Sequence, residues 1–303
     1  MKDKFTIIGL GELLWDVFEH EKRLGGAPAN VAFHTNQIGN HAKVLSKIGN
    51  DELGAETLEW LDEQGIDKSL VETGDHPTGS VNIRLDSNSS AQYEFASNVA
   101  WDHLSATPEL ITAMSGADAV CFGTLAQRSP QSQEAVAKLV SATRMDALRV
   151  LDLNLRAPFY NKNTIVQSLQ LANVLKINDE ELAILSSCFD LNGKESEKLQ
   201  TLARKYELQA IALTKGSEGY TLLRGVESYV NNDTLEISVA DTVGAGDSFT
   251  AAFIDGLLQG YSLSEIGSYA SRLAAYVCTQ RGATPQIPHF LLPRRLLQIP
   301  KKG

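Results

Sequence analysis

The chain reads as an α/β protein: a doubly wound, mainly parallel sheet flanked by helices, with a small β-sheet lid. Three observations predict this. Apolar runs of strand length recur through the 303 residues with amphipathic helical stretches between them, as strands covered on both faces require. Residues 79–96 instead alternate apolar and polar positions, the pattern of a hairpin with one solvated face. The composition is that of an ordinary globular protein, 43% hydrophobic and 21% charged, and the length suits one large domain over 1–303 with a small insertion.

In chain order the strand runs are 5-FTIIGLG-11, 117-ADAVCFG-123, 149-RVLDLN-154, 172-ANVLKIN-178 and 210-AIALTKG-216. Helical stretches between them include 131-QSQEAVAKLVSATR-144 and 194-KESEKLQTLARKYE-207. Ligands of such a sheet sit beyond the C-terminal ends of its strands. A further helix is expected from Pro28, which suits a first turn, through Val31, Ala32 and Ile38 to its stop at Gly39. In the alternating region, Val81, Ile83 and Leu85 are set against Tyr93 and Phe95 across a polar turn, and 15-WDVFEHEKR-23 supplies a third strand. Residues 15–24 and 79–97 would thus form the lid, which excludes water from chemistry that hydrolysis competes with. Leu235, Ile237 and Val239 alternate with polar residues and predict one more strand, followed by a helix on which Phe249, Ala252, Phe253 and Leu257 recur until Gly260.

The totals exclude several function classes. With 27 basic against 37 acidic residues the net charge is −10, which argues against nucleic acid or an anionic membrane as partner, though not against a nucleotide held by a local amide cradle. Cys121, Cys188 and Cys278 are odd in number and scattered, without a C-x-x-C pair, and read as thiols of a reducing compartment. The start of the chain carries Asp3 and only a short apolar run from Phe5 to Leu10 before Glu12, neither a signal peptide nor a membrane span, so a cytoplasmic location is expected. The histidines, among them His34, His41 and His103, show no H-E-x-x-H pattern. The opening 9-GLGELL-14 fails as a dinucleotide fingerprint because Leu14 stands where the third glycine is needed, and no Walker-type loop occurs.

The chemistry concentrates in 241-DTVGAGDSF-249. At a junction leading into a helix the first backbone N–H groups are unpaired and favour an anion, and Gly244 and Gly246 let them approach phosphate oxygens. Asp247 beside such a site repels the ligand unless its carboxylate is used. It can take the proton of an attacking alcohol while the amides from Gly244 through Ala245 and Gly246 hold the charge of a transferring phosphoryl group. Equally, it can be a first-turn carboxylate that only complements the helix dipole. In 25-GGAPANVAFHTNQIG-39, Gly25 and Gly26 permit close backbone approach and Asn30 offers a donor and an acceptor to a sugar hydroxyl, although on this segment alone an ordinary turn is the simpler reading. Arg156 in 152-DLNLR-156 lies past a strand end, placed to meet a phosphate or sugar oxygen or to pair on the surface. Trp101 and Phe95 could cover a sugar face or belong to the core.

Taken together, GGAPANVAFHTNQIG and DTVGAGDSF resemble the two signatures of the ribokinase-like (PfkB-type) carbohydrate kinases, bacterial fructokinases above all. Supporting landmarks come in the family's order: 9-GLGELLWD-16, 46-SKIGNDELG-54, 98-NVAWDHL-104, 152-DLNLR-156, 176-KINDEE-181, 214-TKGSEG-219 and 282-GATP-285. The resemblance implies an ATP-dependent kinase acting on a sugar hydroxymethyl, D-fructose at O6 first, with ribose, 2-keto-3-deoxygluconate or a nucleoside as alternatives. By the same resemblance Asp247 is the base and the amides of 244 to 247 the anion hole, while Asp16, Gly26, Asn30, Asn98 and Arg156 lie on the sugar side. Lys176, Asn178, Thr214, Lys215, Gly216 and Gly219 then lie on the nucleotide side, with Asn178 and Glu181 handling Mg2+ through water. That N-x-x-E pair also reads as a helix cap and capping box. Asp241, Val243 and Gly282 match the segments that bind K+ in many relatives. Two departures bear on the acceptor: 157-APFY-160 ends in Tyr160 where relatives often have Trp, and 84-RLDSNSSAQYEF-95 lacks a Gly-Glu-Arg turn. A half-apolar lid sheet that pairs with its copy would make a homodimer, as in some relatives. The rivals are a non-catalytic sugar-binding protein on the same scaffold, which would not need Asp247, and a nicotinamide oxidoreductase, disfavoured by Leu14.

Overall fold

Strict alternation along buried strands divides the molecule into layers. In this computed structural model, which describes residues 4–85, 91–233 and 235–293, the strands are β1 (Thr6–Leu10), β2 (Leu14–Val17), β3 (Lys22–Gly25), β4 (His41–Gly49), β5 (Asp67–Gly74), β6 (Gly79–Leu85), β7 (Ala91–Phe95), β8 (Ala119–Phe122), β9 (Leu148–Asp152), β10 (Val174–Asn178), β11 (Ala210–Thr214), β12 (Tyr220–Arg224) and β13 (Glu227–Asn231). The helices are α1 (Ala27–Gln37), α2 (Glu52–Glu63), α3 (Pro108–Ser115), α4 (Pro130–Ser141), α5 (Lys162–Leu171), α6 (Asp179–Phe189), α7 (Glu195–Lys205), α8 (Ala245–Leu258) and α9 (Leu263–Cys278).

Nine strands form one sheet in the order β13-β12-β11-β10-β9-β8-β1-β4-β5, parallel from β11 to β5 and closed at the other edge by the antiparallel β12 and β13. Ile7, Ala119, Cys121, Val150, Val174, Ala210 and Ala212 point to one face, under Phe249, Phe253 and Leu273 of α8 and α9. Their neighbours Ile8, Val120, Phe122, Leu151, Leu175, Ile211 and Leu213 point to the other, under Val136, Leu139, Ile165, Leu182 and Leu199 of α4 to α7. Burial on both faces is why the sequence shows continuous apolar runs there. All five of these expected strand runs and the four expected helices are present.

The expected lid strands pair as a separate small sheet, β3-β2-β6-β7. Residues 15–23 supply two strands where one was expected, because Phe18 donates its amide to Glu21 (2.9 Å) and closes a tight turn between β2 and β3. The polar turn expected at 86–90 lies outside the described residues. This sheet is rooted in the main body by Trp15, whose indole N–H donates to Leu53 O and Thr57 Oγ1, and by Trp101, buried against Gly79.

The strand expected at 235–239 does not form. The hairpin β12–β13, turning at Gly225 with φ of 59°, ends the sheet at β13, and the segment does not pair with that edge, leaving Leu235, Ile237 and Val239 exposed. Its end is fixed instead by Ala240, whose amide donates to Cys278 O at 2.8 Å.

A methyl group on Gly79 would lie 2.2 Å from Trp101 Nε1 and 2.7 Å from Leu13 O, in a corner with no room to yield. Gly79→Ala is therefore expected to lower unfolding free energy by about 1–3 kcal/mol, as overpacking does. Urea unfolding measures it, and a loss below a few tenths would show that the small sheet is not seated on Trp101.

Candidate active site

The C-terminal ends of β1, β9 and β10 meet the N-termini of α1 and α8 in one corner, as a doubly wound sheet demands. Close approach is possible because glycines stand at the contacts. A Cβ on Gly9 would come within 2.2 Å of Pro28 O, and one on Gly244, in the left-handed region at φ of 79°, within 2.4 Å of Ala283 O. Gly244 is the cap residue of α8 and carries no side-chain cap; the Ala245 amide turns back to Thr242 O at 3.3 Å, and the amides of Gly246 and Asp247 open the helix as a potential anion site.

Asp247 lies in this first turn, and its Oδ2 accepts Asn30 Nδ2 from α1 at 2.8 Å, joining the two sequence motifs across 217 residues. Burial pushes the Asp247 carboxyl up to about 6, and Asp152 nearby pushes the same way against Asn30, Lys176 and Arg156. Lys176 sits beneath the turn: its Nζ would be 3.0 Å from a Cβ on Gly246, and it pairs with Asp152 Oδ1 at 3.1 Å in the interior. Asp152 Oδ2 accepts Thr250 Oγ1 of α8 at 2.8 Å. Burial works against the Lys176 charge, but Asp152, Glu181 and Asp247 outweigh it and hold the ammonium above its ordinary value.

Of the residues expected on the sugar side, Asp16, Gly26, Asn30 and Arg156 converge. Burial lifts Asp16 to about 6 against the pull of Arg23 and Arg156, and Gly25 leaves it room, since a Cβ there would stand 2.7 Å from its Oδ2. Gly26 is held at φ of 104° over Glu12 O. Arg156 is exposed, and its charge reaches Asp16 and Asp247 alike. Asn98 is different: in the left-handed region at φ of 55°, it has its Oδ1 on His103 Nε2 at 2.8 Å. Trp101 is core and Phe95 packs edge-on to Phe159.

On the other side, Asn178 caps α6 and completes a capping box with Glu181, whose two oxygens accept the Asn178 and Leu155 amides at 2.9 Å. The helix-cap reading of this pair thus holds, with Asn178 Oδ1 and both Glu181 oxygens engaged in the box. Among the described residues no group of three or more His, Cys, Asp or Glu could hold a metal ion. Thr214, Gly216 and Gly219 form the turn at the end of β11, but Lys215 directs its ammonium to Glu195 at 3.5 Å. Asp241 accepts the amides of Val243 and Gly282, each at 3.1 Å, and so clips together the two segments expected to face K+. His34 is neutral, burial lowering it to about 4, and its Nε2–H donates to Ala283 O.

The family model for pfkB family carbohydrate kinases matches residues 2–289. The chain belongs to that family. An uncharacterized sugar kinase of Pyrococcus horikoshii is 28% identical over 94% of this chain and 94% of its own, and its crystal structure covers 97% of both chains with a TM-score of 0.80. The Escherichia coli fructokinase is 26% identical over 92% of this chain and 95% of its own. A Vibrio cholerae fructokinase solved with fructose, ADP and calcium has a TM-score of 0.79 at 19% identity, covering 95% of this chain and 97% of its own, a likeness of fold. The carbohydrate kinase expectation therefore stands, and so does the fold class.

Sequence reading overlooked Glu12 and Thr250 and left Asp152 without a role. A carboxylate ending an apolar strand run, as in 149-RVLDLN-154, was the available signal for Asp152. Lys176→Met leaves Asp152 buried without its counter-ion and is expected to cost about 3–5 kcal/mol in stability by urea unfolding. A phosphoryl-transfer rate governed by Asp247 is expected to rise with pH through about 6, because only the ionised form accepts a proton. An initial-rate profile flat from pH 5 to 7 would remove Asp247 from that part.

Proposed function

We propose that this carbohydrate kinase transfers the γ-phosphoryl group of ATP to a sugar hydroxymethyl oxygen, with D-fructose giving fructose 6-phosphate as the first candidate. The observation that carries the reading is Asp247, ionised at neutrality yet basic enough to take a proton, at the mouth of a helix whose free amides suit a phosphoryl charge. Support for ATP comes from the Pyrococcus horikoshii relative, solved in complex with ATP, and support for fructose from the Escherichia coli fructokinase.

In this reading Asp16 and Asn30 hold vicinal hydroxyls of the sugar, Gly26 lends its backbone, and Arg156 and Asn98 close the acceptor side. Asp247 takes the hydroxyl proton as the oxygen attacks phosphorus, and the amides of 244 to 247 with Lys176 hold the growing negative charge. Thr214, Gly216 and Gly219 pass the nucleotide along their turn, Lys215 contributing only backbone. Asn178 and Glu181 would stand toward a Mg2+ brought in on the phosphates, which would supply positive charge to the transferring group. A K+ ion would be held by backbone carbonyls around Asp241, Val243 and Gly282. The exposed charge of Arg156 favours an acid such as 2-keto-3-deoxygluconate as the second acceptor.

We further place the chain in the cytoplasm, since Cys121, Cys188 and Cys278 remain free thiols, and among the described residues no helix is long and apolar enough to cross a membrane. A homodimer through the small sheet is supported by its open edge at β7, where Tyr93 is exposed. Sedimentation at micromolar concentration is expected to give a dimer, and a monomer there would dismiss it.

ADP release with ATP and Mg2+ should be fastest with fructose among fructose, ribose, 2-keto-3-deoxygluconate and adenosine. Faster turnover of another acceptor reassigns the sugar. Sugar binding without turnover of any would favour a non-catalytic binder.

A further inference from the structure

Glu12 follows β1 and is 3% exposed, with its carboxyl beside the amide of Ala27, the first residue of α1. One oxygen, Oε2, is buried and has no hydrogen-bond partner. Asn30 lies one turn further along the same helix, which starts at Gly26 against Glu12 O, and Glu12 and Asn30 both act on Asp247, the one by its charge and the other by its hydrogen bond. Its amide nitrogen is given to Asp247, yet its Oδ1 is also buried and without a partner. Two orphaned acceptors in one dry corner are unfavourable, and a single proton between them satisfies both.

We propose that Glu12 is a positioning residue: it carries a proton on Oε2, donates it to Asn30 Oδ1, and so fixes the Asn30 amide toward Asp247. The orientation of Asn30 then no longer depends on the bound sugar. Two charged groups face Glu12: Arg156 from beyond β9, which favours the charged form, and Asp247 from α8, which opposes it; the Cys121 thiol of β8 is kept neutral by burial. Burial dominates and lifts Glu12 to about 7, consistent with a proton held at neutral pH. Deprotonation above that value puts a second negative charge in front of Asp247 and two bare acceptors against each other.

The inference rests on Asp247 acting as base, and the test separates the two. A Gln at position 12 keeps an acceptor for Ala27 and places an N–H where the carboxyl proton lies. In the parent, stability is lost as pH rises from the ordinary value of 4.5 to about 7, where the unfolded chain releases a proton that the folded chain keeps. Glu12→Gln should therefore melt above the parent, with a gap that widens from pH 5 to pH 8. Its kcat/KM should fall less than about fivefold at pH 6.5 and hold steady above pH 7, where loss of the Glu12 proton should lower that of the parent, whereas Glu12→Ala should lose at least about tenfold in kcat. Melting of Glu12→Gln below the parent at pH 8, or activity as low as in the Ala variant, would show that the charge is what matters and overturn the proposal. If the parent phosphorylates no sugar, the proposed function falls while the melting comparison still decides the state of Glu12.

Discussion

Three carboxyl groups, Asp152, Glu181 and Asp247, crowd the strand ends around one buried ammonium, that of Lys176, with Glu12 buried beside Asp247, and this shortage of positive charge is the constraint on which the rest depends. Like charges in a dry corner cannot all ionise, so protons or ligands must supply what the side chains lack. Lys176 is spent on Asp152, which is also tied to Thr250, leaving Asp247 ionised yet basic and Glu12 near neutral. A helix mouth with free amides directly above this group supplies the missing positive potential without another cation.

That electrostatic arrangement explains the positions where glycine cannot be replaced. Helices α1 and α8 must start at the same point, so the chain passes Gly9, Gly26 and Gly244 at distances no side chain permits. Only then can Asn30 reach Asp247, and only then does the Gly246 turn rest on Lys176. The small sheet, held by Trp15 and Trp101 at its base, carries Asp16 on β2 within reach of the Arg156 charge.

Much of this was legible in the sequence. Continuous apolar runs gave the parallel strands, because burial on both faces leaves that mark, and the glycine motifs gave Asn30 and Asp247 because backbone approach leaves glycines behind. The rest was not, for physical reasons. Leu235, Ile237 and Val239 alternate like a strand, but alternation reports a pattern and not a partner, and the segment pairs with no strand among the described residues. Glu12 carries no pattern of its own, since its role follows from three-dimensional burial beside α1. Lys215 and Lys176 look equivalent as strand-end lysines, and only the partners, Glu195 for one and Asp152 for the other, distinguish them.

The central claim is that Asp247 moves the proton while its neighbours bind. Single-turnover phosphoryl transfer by Asp247→Asn, with sugar and nucleotide affinity measured by calorimetry on the same protein, tests it most directly. The account predicts a fall of at least about a hundredfold in the transfer rate, with both affinities kept within several-fold, as for a lost general base. Transfer at the parent's rate would contradict it and leave Asp247 as a residue that only caps its helix.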